Sequence, residues 1–339
     1  MNGKQRVKAV IAGKECDHLS VQPMLMMFAA KHAGIPYGEY CRSGLKLAEA
    51  QVKTALDFKL DVLLTCSDPA REVVDIAGDD SIEWFYNQPP AINEARAALL
   101  DKSRLNEFRV PAPWRKGRMN DRIIAIQKMK EEAGEELSIV GWVEGPLALA
   151  AELRGINHIM TDFLDDPQFV HDLLDFTAET AMIYAEAQVE AGADTIGMSD
   201  AAASLIGPAL YEEFLRPAQC KVLNAIRGFG AITRLHMCGK TDPLIPKMKL
   251  LPVDIYELDF PVNLEAAREV LGPAKVILGN VSTVGDLLQG APGGVYEAAS
   301  NCHKVCGSAH IVGAGCEVSP MTPVENLRAL VQYALDNRP

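Results

Sequence analysis

Three residues of this sequence, His236, Cys238 and Cys316, have the types and spacing to hold a borderline-soft metal ion. One imidazole nitrogen and two thiolates match zinc, and three protein ligands leave a fourth position open for chemistry. His236 and Cys238 are two residues apart, so on a β-strand they share a face. Singly, each has a plainer reading. A lone histidine is more often a satisfied core residue, and a lone cysteine a small packing group. The remaining cysteines, at 16, 41, 66, 220, 302 and 306, read as reduced thiols, and the Cys302/Cys306 spacing suits one helix face.

These residues need rigid elements to aim them. Eight short apolar or β-branched runs recur along the chain, at His18–Pro23, Asp61–Ser67, Leu137–Val143, Thr195–Asp200, Ile232–Cys238, Ile255–Asp259, Val276–Val281 and His310–Cys316. Most are too short for helices, and turn residues bound many of them. Helical patterns lie between: Gly44–Phe58, with Leu45, Ala48, Val52 and Ala55 on one face; Pro167–Val189; Leu264–Leu271; and Val324–Leu335. Eight strands alternating with helices predict an α/β fold with parallel pairing. The economical closed form is a (β/α)8 TIM barrel, here preceded by an N-terminal helical extension. An open doubly wound sheet lacks the early Gly-x-Gly-x-x-Gly turn. An insertion of roughly Asp68 to Glu136 separates the second and third strands. It carries Trp84–Pro90 and predicts helices over Ala91–Leu105 and Met119–Ala133.

In such a barrel the active site lies at the C-terminal strand ends. Ser67 and Asp68, Glu144, Asp200, His236 with Cys238, Glu257 with Asp259, Asn280, and Cys316 fall at or just past those ends. Asp200, Glu257 and Asp259 are the catalytic candidates, able to orient the ligands or fill the fourth metal position. Ser67, Asp68, Glu144 and Asn280 are the candidates for cofactor contacts. Each also has a structural alternative: Asp200 and Asp259 as helix caps, Glu144 as a solvated loop residue, Asn280 as a partner for loop backbone.

The chain has 339 residues, of which 48% are hydrophobic and 23% charged, enough for a large core. Its net charge of −12, without a basic tract, argues against nucleic acid. The absence of a long apolar run or a signal peptide predicts no membrane partner and a cytoplasmic protein. Residues 1–339 are expected to form one barrel domain.

The stretch Gly313-Ala314-Gly315-Cys316-Glu317-Val318-Ser319-Pro320-Met321-Thr322-Pro323, with Glu325-Asn326-Leu327 after it, resembles the closing signature of the uroporphyrinogen decarboxylase superfamily. Leu278-Gly279-Asn280-Val281, Glu144-Gly145-Pro146-Leu147 and Gly192-Ala193-Asp194 fit as well, and the resemblance weakens only from about Trp84 to Glu136. It implies a (β/α)8 barrel and one of two chemistries. The decarboxylases carry an arginine-rich Arg-Gln-Ala-Gly-Arg motif near the N-terminus and a histidine at the position of Cys316. Here Gln22–Phe28 contains no arginine. The other branch holds the methylcobamide:coenzyme M methyltransferases, whose His-x-Cys and distant Cys motif is matched by His236, Cys238 and Cys316. That branch implies a zinc ion, a corrinoid (methylcobamide) carried by a partner protein, and a small thiol acceptor such as coenzyme M. The alternatives are a decarboxylase-type lyase, a methyltransferase loading the corrinoid from a methylated or methoxylated substrate, and a non-catalytic accessory protein. A sulfonate on the thiol would need a cation, for which Arg71, Arg154, Lys240 and Arg234 are the candidates. A homodimer remains compatible with all of these.

Overall fold

The computed structural model describes residues 1–339. All eight expected strands form. They are β1 (Ser20–Val21), β2 (Val62–Leu64), β5 (Ser138–Glu144), β6 (Thr195–Ser199), β7 (Ile232–Met237), β8 (Ile255–Leu258), β9 (Val276–Leu278) and β10 (His310–Val312), every pairing parallel. The order β1-β10-β9-β8-β7-β6-β5-β2 makes a nearly closed barrel. At the seam between β1 and β2, the Asp61 N–H donates to Val21 O (3.3 Å), and the Val21 N–H donates to Asp61 Oδ2 (2.9 Å). Arg6, on the N-terminal helix Gly3–Ile11, pairs with the same carboxylate.

The pleat sorts side chains into two cores. Outward residues such as Leu63, Ile139, Ile196, Leu235, Tyr256 and Ile277 pack under the helices in one large cluster. Inward residues form two smaller ones, Val62, Leu64, Val140 and Trp142 on one side, and Ile255, Val276, Leu278 and Ile311 on the other. Val7 and Val10 of the N-terminal helix join these clusters, so that helix closes the lower end of the barrel. Trp142 lies across β6 because residue 197 is glycine: a Cβ there would sit 2.3 Å from the indole.

The insertion differs in part from expectation. Helix Arg118–Ala133 forms, but Ala91–Leu105 is not a helix. Ala91–Ile92 (β4) pairs antiparallel with Ile82–Glu83 (β3), and short 3-10 turns follow. Asn93 and Asp101 accept hydrogen bonds from the N–H groups of Ala95 and Ser103, which starts new turns and competes with helix propagation. The Arg154 guanidinium then takes the Leu99 and Leu100 carbonyls. In helix Gly44–Phe58 the buried stripe is Leu47, Ala48, Gln51, Val52, Ala55 and Phe58. Leu45, expected on that face, is 56% exposed. No helix is long and apolar enough to cross a membrane.

Candidate metal centre

Interior strand positions of β5 to β8 meet at one level, because Glu144 registers with Ser199, Ser199 with His236, and His236 with Glu257. Below His236 on the same strand face, Arg234 stacks on Trp142 at 5.5 Å. Arg234 Nε donates to Glu257 Oε2 (2.8 Å), and Nη2 to Oε1 (2.5 Å), a fork-like pair with both partners buried. Glu257 Oε2 lies 3.6 Å from His236 Nδ1, which has no other partner. The carboxylate therefore faces one ring nitrogen and leaves Nε2 directed at the thiols.

Cys238 closes β7. The chain then turns at Gly239, whose φ of 83° suits glycine and whose N–H donates to Asp259 Oδ2 (2.6 Å). Cys316 lies past the end of β10, which stops at Val312, so the expected strand His310–Cys316 is shorter and Cys316 sits on a loop. One bridge, Ala314 to Val281, guides that loop. Gly315 lets it pass against the backbone of Phe260, where a Cβ would lie 2.3 Å from the amide nitrogen. The result is a compact triangle: His236 Nε2 to Cys238 Sγ is 3.2 Å, to Cys316 Sγ 3.6 Å, and sulfur to sulfur 3.9 Å. All three candidate ligand atoms lie within 4.8 Å of one another. The two sulfurs share one hydrogen-bond contact in which either can be the donor. The contact with Cys238 and the nearby imidazole lower the Cys316 thiol, and the same contact raises that of Cys238. The donor set fits zinc: one imidazole nitrogen, on a ring whose other nitrogen faces a carboxylate, and two sulfurs.

The other expected site residues divide. Glu257 stands behind His236, and Asp259 beside Cys238, where its Oδ1 also accepts the Phe260 N–H (2.7 Å). Asp200 is fully buried and serves the scaffold: Oδ1 accepts the Ala148 N–H (2.8 Å), and Oδ2 accepts from Gln219 (2.9 Å). Burial pushes its carboxyl up to about 7. Asn280 donates to the carbonyls of Asp259 and Val262, both at 3.1 Å, the backbone role open to it from sequence. Ser67 donates to Asp68 (2.6 Å), and Asp68 is gripped by both terminal nitrogens of Arg118 at 2.7 and 2.9 Å. Glu144 is not a solvated loop residue; it is buried and accepts from Arg71 (3.2 Å). Of the four cations that could meet an anionic thiol, three are engaged: Arg71 by Glu144, Arg234 by Glu257, and Arg154 by Asp162. Lys240, exposed and two residues past Cys238, has no carboxylate within 4.0 Å. Sequence reading missed Glu72, Glu152 and Arg118. Glu72 and Arg118 bond residues distant in the chain, Glu144 and Asp68, and Oε2 of Glu152 has no hydrogen-bond partner, so no local spacing marks them.

A family model described as uroporphyrinogen decarboxylase (URO-D) matches residues 2–336. The methylcobamide:CoM methyltransferase MtaA of Methanosarcina barkeri is 30% identical over 237 residues, 69% of this chain and 66% of that protein, just under two thirds of its length. MtbA of Methanosarcina mazei, also a methylcobamide:CoM methyltransferase, is 33% identical over 253 residues, 74% of this chain and 72% of that one. Among solved structures, a methyltransferase from Methanosarcina mazei superposes with a TM-score of 0.89 over 98% of both chains at 24% identity, which establishes the shared fold.

Proposed function

The chain belongs to the uroporphyrinogen decarboxylase family, and from that premise we propose that it is a zinc-dependent methyltransferase moving a methyl group between a corrinoid and a small thiol. The observation that carries this reading is the His236–Cys238–Cys316 triangle at the barrel mouth. Its relatives MtaA and MtbA, named for methylcobamide and CoM, agree with it.

His236, Cys238 and Cys316 would hold the ion, which lowers the proton affinity of a thiol and keeps its sulfur nucleophilic. Two cysteinates and a neutral imidazole balance a dication. Glu257 faces Nδ1 of His236 across 3.6 Å, an electrostatic partner for the ring, and Arg234 holds Glu257. Asp259 braces the turn behind Cys238 through Gly239. Lys240 is the free cation for an anionic tail on the thiol. The corrinoid arrives on a partner protein, whose methyl group must reach this mouth. Decarboxylation of a polycarboxylated tetrapyrrole is disfavoured, since Gln22–Phe28 supplies no arginine for its carboxylates.

The decisive experiment combines zinc analysis with a spectral assay of methylcobalamin and a panel of thiols. One zinc per chain and thiol-dependent demethylation are expected. A zinc-free protein that forms coproporphyrinogen from uroporphyrinogen would overturn the assignment.

A further inference from the structure

A second group of ionisable side chains lies in the same mouth, away from the metal triangle. Glu144 points inward on β5, level with His236 and separated from it by Ser199 on β6. Two strand spacings put the two Cα atoms roughly 10 Å apart. Behind Glu144, Arg71 and Glu72 sit on the helix Ala70–Ala77, both essentially unexposed. The Arg71 Nη2 donates to Glu144 Oε1 (3.2 Å), and Glu72 Oε1 accepts the Glu144 backbone N–H (3.1 Å). Arg71 Nε and Glu72 Oε2, 3.7 Å apart, are buried without hydrogen-bond partners. Glu152, on the helix Pro146–Arg154, adds a third carboxylate. It lines an outer groove of about 400 Å3 with Ala148, Ala202 and Leu205, and its Oε2 is also buried and unpartnered.

The charges do not balance. Asp68 belongs to Arg118, which leaves one guanidinium, Arg71, to three carboxylates. Such a set keeps two of its three protons near neutral pH and leaves one carboxylate ionised against Arg71, because two uncompensated buried carboxylates are prohibitively costly. We propose that Glu144, backed by Arg71 and Glu72, exchanges the proton that the thiol loses on binding and regains on release. This rests on the thiol reading of the metal centre. The S–H bond breaks with its electron pair left on sulfur, and the proton passes to a carboxylate oxygen of Glu144. On release the same proton returns. Glu144 is faced by Arg71 and Glu72 from one helix, Asp68 from the end of β2, and Asp200 from the end of β6. Burial first, then Glu72, pushes its carboxyl up to about 8, near the working pH of a proton carrier.

The test uses the full chain loaded with cobalt(II) and 2-mercaptoethanol. Stopped-flow absorbance follows the sulfur-to-cobalt band as thiol binds. In the unaltered protein the rate should not depend on buffer concentration. Glu144→Gln should reach the same final band at least tenfold more slowly, with the rate restored by added imidazole, and Glu144→Asp should recover part of it. A Glu144→Gln rate equal to that of the unaltered protein overturns the proposal. If the variant does not load cobalt, the unaltered protein still decides. A rate rising linearly with buffer concentration makes bulk buffer the base and also overturns it. Failure of the unaltered protein to form any band sinks the thiol reading itself.

Discussion

Cys316 joins the triangle from a loop, whereas His236 and Cys238 come from one strand, so its removal isolates the metal from the scaffold. Cys316→Ala should abolish methyl transfer and greatly weaken zinc binding while leaving the far-UV spectrum unchanged. A chain with a core of this size does not fold around its metal. Full zinc occupancy and near-normal turnover in that variant would remove Cys316 from the ligand set. Glu257 behaves differently, because it belongs to the metal centre and to the core at once. Glu257→Gln leaves the Arg234 guanidinium buried without an anion, which costs about 3–5 kcal/mol. Urea unfolding should show that loss, together with weaker zinc binding from a less firmly oriented imidazole. A stability change below about 1 kcal/mol would mean that the Arg234–Glu257 pair is far better solvated than its burial implies.

At the level of elements, precision comes from glycines as much as from ligands. The loop carrying Cys316 reaches Cys238 only because Gly315 crosses Phe260 without a side chain. Gly315→Ala should therefore keep the barrel but displace the loop, lowering zinc affinity by about tenfold or more, as read by competition with a chelator. Unchanged affinity would show that the loop yields freely. The strands were legible in the sequence because apolar runs bounded by turns leave little else for the chain to do. The helix over Met119–Ala133 was legible from its period. Ala91–Leu105 was misread because its apolar spacing looks helical, whereas Asn93, Asp101 and a distant Arg154 capture its backbone. Leu45 lies at the edge of the helix stripe, outside the buried set Leu47, Ala48, Gln51, Val52, Ala55 and Phe58, while the neighbouring Gly44 packs against Asp121 O from the insertion. The types of the rim residues could be read. Their pairings, Arg234 with Glu257 and Asp68 with Arg118, join residues far apart in the chain and leave no mark on periodicity.

For the whole molecule, burying carboxyl groups at the barrel mouth has a consequence for stability. Burial pushes Asp200 up to about 7 and Glu144 up to about 8, against roughly 4 in an unfolded chain. Between those values the folded protein holds protons that the unfolded chain has released. Stability from these groups is therefore fully present below about pH 4 and is lost as pH rises through their folded values. Opposing groups act at other points of the scale and, in Cys316, within it: its thiol, held low by Cys238 and the imidazole, contributes stability that grows as pH rises toward the ordinary thiol range. Asp68, held well below the usual carboxylate range by Arg118 despite its burial, contributes above its unfolded value and loses stability only in acid. His310, kept neutral by burial and pushed down to about 4, costs stability only below the ordinary histidine range. His236 adds to the downward trend in protein free of metal: burial lowers its affinity for a proton, but Glu257 and Cys316 outweigh that and raise it to about 9. Metal-free protein should accordingly be less stable at pH 8.5 than at pH 6.5, by about 1–3 kcal/mol, measured by urea unfolding at both values. Zinc should flatten the dependence by removing the contribution of His236, and Glu144→Gln should flatten it further. A midpoint that rises from pH 6.5 to 8.5 would show that the mouth is wet enough for its carboxylates to ionise freely, and the buried proton store would not exist.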